Sequence, residues 1–80
     1  MRETKPETEE NEMGSVARTT EISARSETSF EDAIRVGLDR ATRTLRNVQG
    51  AWVKEQEVKL ENDQIAAFQV IMKVTFELED

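Results

Sequence analysis

The chain contains no cysteine and no histidine. The first absence excludes a disulfide framework and a thiolate nucleophile. The second removes the commonest base and metal ligand near neutral pH. Acid–base or hydrolytic chemistry would fall to Asp, Glu or Lys, and no catalytic spacing of these stands out. No long apolar run is present, so no helical membrane span is expected. The N-terminus carries no apolar signal segment, and a cytoplasmic protein is expected. Positive charge is also short: 11 Lys and Arg against 17 Asp and Glu leave a formal net charge of -6. Tight nucleic-acid binding needs dense phosphate neutralisation, which this balance opposes; one local anion site remains compatible with it.

Eighty residues allow one domain at most. Residues 1–15 hold Glu3, Glu7, Glu9, Glu10 and Glu12 with Pro6 and Gly14, and show no hydrophobic periodicity. Such a segment does not offset the entropy of ordering itself, so it is expected as a disordered acidic extension. Residues 16–80 are expected to form the folded domain. From Val16 to Ala24 the pattern predicts a weak, mostly polar strand at an edge or on an exposed face.

Ser29 is placed to cap a helix, with Asp32 three residues later in capping-box position. Phe30, Ile34, Leu38, Ala41, Leu45 and Val48 recur at three- and four-residue intervals, with Ala33 and Gly37 modifying the stripe. Asp39 and Arg43 are one turn apart and suit a weak pair. Gly50 is read as the stop or turn after this helix.

Residues 51–60 predict a second strand whose two faces are both mixed. A bulge near Trp52 and Val53 would change which side points inward. Glu61-Asn62-Asp63-Gln64 predicts a polar turn. The last strand is the clearest: Phe68, Val70, Met72, Val74, Phe76 and Leu78 form an apolar face at strict period two, with Gln69, Ile71, Lys73, Thr75 and Glu77 opposite. The expected fold is α+β, a β-α-β-β unit with a three-stranded antiparallel sheet on one long helix. So little core favours oligomerisation. The single Trp52 is then either packed against a neighbouring subunit or used as a flat binding platform, and Gln69 on the next strand supplies a polar group for recognition.

The helix start Ser29-Phe30-Glu31-Asp32-Ala33, the spacing from helix to Trp52, the Phe68-Gln69 pair and the ending Phe76-Glu77-Leu78-Glu79-Asp80 together resemble the dodecin family. The resemblance covers about residues 16–80. It implies a hollow homododecamer that binds flavins in stacked pairs at subunit contacts, for storage, buffering or photoprotection rather than turnover. By resemblance, Trp52 stacks on an isoalloxazine ring and Gln69 hydrogen-bonds its polar edge. Stacking on Trp would quench the flavin excited state.

Lys59 falls where FMN-binding relatives often carry a basic residue, and is the candidate contact to a phosphate. Glu77 falls where some of them carry a second basic residue; a carboxylate there departs from the pattern. The implied ligand is therefore FMN or riboflavin, with FMN slightly favoured. No metal site is assigned. The alternative is a structural or interaction oligomer without flavin, in which Trp52 only anchors an interface.

Overall fold

The computed structural model describes residues 14–78. The expected acidic extension over 1–15 falls almost entirely outside them, as do Glu79 and Asp80. The elements run β1 (Ala17–Ser26), α1 (Phe30–Thr44), β2 (Val48–Glu61) and β3 (Gln64–Glu77). The strands form one antiparallel sheet in the order β1-β3-β2, so the expected α+β architecture holds and β1 is an edge strand.

β3 is central because it alone has a continuous apolar face. Val70, Met72 and Val74 are fully buried, and Ile22, Phe30, Ile34, Leu38 and Val53 pack around the cluster that Val70 and Met72 form with Ala24 and Ala33. Phe30 meets Phe68 edge to face, with ring centroids 5.1 Å apart. The helix approaches the sheet through small residues rather than through its bulky row. Ala33, Gly37 and Ala41 are its buried positions, while Phe30, Ile34 and Leu38 lie half-buried beside them. A Cβ on Gly37 would stand 2.7 Å from Met72 Cε and 2.9 Å from Ala24 Cβ, so this crossing needs glycine.

The Ser29 hydroxyl accepts from the Asp32 amide at 3.0 Å. The Asp32 carboxylate does not return the capping-box bond; it accepts from the buried Ser26 hydroxyl at 2.7 Å and from Arg35 at 3.4 Å. The cap thereby fastens the end of β1 to the start of α1. Asp39 and Arg43 pair at 3.2 Å on the exposed side.

The helix ends earlier than its apolar periodicity suggests. Leu45 is already extended and Val48 opens β2, so neither belongs to the helical stripe. The reversal is carried by Asn47, at φ 58°, a left-handed value that Asn tolerates. Gly50 is not the stop: it lies inside β2, beside an irregular step between Val48 and Gly50. β2 thus begins before residue 51, and β3 begins at Gln64 rather than Phe68. The turn falls where expected. Asn62 and Asp63 have φ of 53° and 65°, and positive φ at both central residues is the signature of a type I′ hairpin.

Candidate functional site

The sheet has one face covered by α1 and one left open. Val53 and Met72 pair across β2 and β3 and both pack into the core. The neighbouring pair, Trp52 and Lys73, must therefore point to the open face. The expected bulge is present one step further on. The register shifts between Val53 and Glu55, leaving Lys54 as the extra residue. Alternation alone aims Trp52 and Lys54 outward on either side of Val53; the bulge resets the phase, so that Glu55, opposite Ile71, also faces the open side.

Trp52 is 72% exposed, so the protomer leaves the indole uncovered. Trp52, Lys54 and Lys73 line a hollow of about 110 Å³. Lys54 reaches over β3 to Glu21 on β1, Nζ to Oε2 3.1 Å. Glu21 is itself the register partner of Lys73. Glu21, Lys73 and Trp52 thus form a row across all three strands, with Lys54 arching over it.

Gln69 lies on the same open face, half-buried, between Arg25 on β1 and Glu57 on β2. It is four residues from Lys73, a distance of about 13 Å at ~3.3 Å per residue. One protomer therefore holds Trp52 and Gln69 on a common surface without contact between them. Lys59 stands opposite Ala67, further along, and pairs with Glu57 at 3.3 Å. Both partners are well exposed, so the pair contributes at most about 1 kcal/mol. Glu77 pairs with Ala17 at the other end of the strand, and its amide donates to the Asn47 carbonyl at 3.0 Å.

Lys54 and Lys73 are the residues beside the indole that pattern reading passes over. The alternation of β3 already places Lys73 with Gln69, but only the register shows that it faces Trp52. A larger hollow, about 600 Å³, lies between α1 and the β1 edge and includes Ile22, Gly37 and Arg40; it contains no aromatic platform. Among the described residues no group of three or more carboxylates is arranged to hold a metal, and no helix is long and apolar enough to cross a membrane.

A three-stranded antiparallel sheet with one helix, an uncovered Trp on the open face and few large core residues defines a small module built for assembly. A family model described as Dodecin matches residues 16–79. Dodecin from Thermus thermophilus is 35% identical over 68 residues, covering 85% of this chain and 99% of that protein. The structure of dodecin from Streptomyces davaonensis superposes with a TM-score of 0.78 at 39% identity, covering 82% of this chain and 97% of that one. Dodecin from Streptomyces coelicolor gives 0.80 at 31% identity, covering 85% and 97%. The chain belongs to the dodecin family. Membership supports a flavin-binding, homo-oligomeric storage protein and not an enzyme.

Proposed function

We propose that this protein assembles as a homododecamer and sequesters flavin in stacked pairs between subunits. Trp52 supplies the stacking surface, Gln69 hydrogen-bonds the polar edge of the isoalloxazine, and Lys59 is available to the phosphate of FMN. Riboflavin is the alternative ligand. The observation that carries this reading is an indole 72% exposed on the sheet face opposite α1. A planar π-system stacked there gains apolar contact that the protomer cannot provide. Gln69 lies about 13 Å along β3 from the Lys73 row that carries Trp52, and in this reading a ring system together with a neighbouring copy spans that separation.

The small core supports assembly. Met72, Val70 and Val74 are the largest fully buried side chains, while Leu60, Ile65 and Val36 stay exposed. That imbalance is typical of a chain that completes its burial with other subunits. A cytoplasmic location belongs to the same reading, and the absence of cysteine from the sequence fits it.

The test is a fluorescence titration of the full chain with FMN and with riboflavin, with native mass measured on the same samples. The reading expects a twelve-subunit mass and flavin emission quenched to saturation. A colourless oligomer that leaves flavin emission unchanged would instead support an interface role for Trp52 alone.

A further inference from the structure

β1 is an edge strand paired only with β3, so one side of its backbone is left without a partner strand. Beside that edge lies the hollow of about 600 Å³ between α1 and β1. Ile22, Gly37, Ala41 and Leu45 give it an apolar floor, and its charged lining residues are Arg25 and Arg40, with no carboxylate. In a chain of net charge -6 this is a local excess of the scarcer sign. Arg40 makes no ion pair among the described residues. Neither does Arg18, which shares the helix-facing parity of Thr20 and Ile22 nearer the start of β1.

Opposite charge is supplied by the same chain. Residues 7–12 carry Glu7, Glu9, Glu10 and Glu12 and no Lys or Arg. They precede the family-matched residues 16–79, so the shared fold does not account for them. They also join the domain at the end where the hollow opens. Leu45 lines both the hollow and the cleft it forms with Phe76, Glu77 and Leu78. There the Leu78 amide donates to the Val16 carbonyl at 2.9 Å. Thr8 and Thr20 are equally far in sequence from Gly14. A chain turned back at Gly14 therefore brings residues 7–12 level with residues 16–21 of β1, a stretch of about 20 Å at ~3.3 Å per residue. That stretch contains Arg18, and it ends beside the Thr20 and Ile22 row that shares the hollow with Arg40.

We propose that the glutamate run over residues 7–12 docks into the hollow between α1 and the β1 edge of its own protomer, with Arg18 and Arg40 as its cationic partners. Each exposed ion pair is weak, but tethering holds the glutamates at an effective concentration of about millimolar, so a few pairs suffice. The docked segment covers the unpaired edge of β1 and keeps it from adding a strand of another chain. The hollow is on the helix side of the sheet, away from Trp52, and the docking does not rest on flavin binding.

The chain has no cysteine of its own, so introduced pairs report contact directly. T8C/T44C tests the segment against the hollow, which Thr44 lines. T8C/T42C is the control, because Thr42 lines the opposite flank of α1 with Leu38 and Asp39. In the full chain under mild oxidation, T8C/T44C is expected to close within one chain about tenfold faster than T8C/T42C. Replacing the four glutamates, E7Q/E9Q/E10Q/E12Q, should reduce that advantage to about twofold. R40Q should reduce it by about threefold, and salt above about 0.1 M should erode it. The glutamate replacements leave every residue of the folded elements in place, so they separate docking from folding.

Equal closing rates for the two pairs, or an advantage unchanged by the glutamate replacements, would overturn the proposal. T8C/T44C disulfides that join two chains would overturn it as well, and would put the segment of a second copy in the hollow instead.

Discussion

Trp52 and Lys73 face each other across the β2–β3 ladder on the side of the sheet away from α1. One residue earlier on β3 and one later on β2, Met72 and Val53 face each other on the side toward it. The two adjacent pairs divide the labour of the sheet: one holds the protomer together and the other is left for something outside it. Function at the open face can therefore be altered with little cost to the protomer fold, and the reverse holds at the covered face.

Trp52→Ala should abolish quenching of bound flavin and weaken affinity. Base–aromatic stacking contributes about 1–3 kcal/mol, which converts to about five- to 150-fold in the dissociation constant. Trp52→Phe should fall between the two. Fluorescence titration measures both. Because the indole is exposed in the protomer, far-ultraviolet circular dichroism should be unchanged in either variant.

Gln69→Ala should weaken flavin binding less than Trp52→Ala does. A single amide hydrogen bond contributes about 0.5–1.5 kcal/mol, and the stacking surface remains. Quenching at saturation should persist, since the Trp52 indole is still there to stack on the flavin. The titration midpoint and the final emission level report these two effects separately.

Gly37→Ala should destabilise the fold although alanine is the better helix former. The added methyl meets the fixed Ala24 Cβ at 2.9 Å and the mobile end of Met72 at 2.7 Å. Overpacking of this kind costs about 1–3 kcal/mol, against about 0.8–1.0 kcal/mol of recovered helix propensity. A net loss of about 1 kcal/mol in a denaturant titration is expected. A gain in stability would show that the helix shifts freely over β1.

Asp63→Gly should stabilise the hairpin. Asp63 sits at φ 65° beside Asn62 at φ 53°; aspartate tolerates the left-handed region but carries a Cβ penalty there that glycine lacks. Glycine removes it, and Asn-Gly suits a type I′ turn. Part of the gain is offset by the greater freedom of glycine in the unfolded chain. A rise in melting temperature with unchanged flavin affinity is expected.

β3 was legible because its alternation is strict, and burial of Val70, Met72 and Val74 follows directly from it. The helix start was legible because Ser29 and the carboxylates after it have a local role. The helix end was not. Leu45 and Val48 continue the helical period, yet the chain reverses at Asn47, whose left-handed backbone answers to the sheet rather than to the apolar pattern. Trp52, Gln69 and Lys59 could be singled out from the chain, but their separation could not, because it depends on a cross-strand register and a bulge at Lys54. The placement of Lys73 against Trp52 depends on the same register.

A crystal structure of the full chain with bound FMN tests the central claim most directly. The account expects each indole to lie parallel to an isoalloxazine at carbon–carbon contact distance, about 3.5–4.0 Å, with the slot completed by a second copy of the chain. Flavin bound elsewhere, with Trp52 out of contact with it, or a flavin fully enclosed by one protomer, would contradict it.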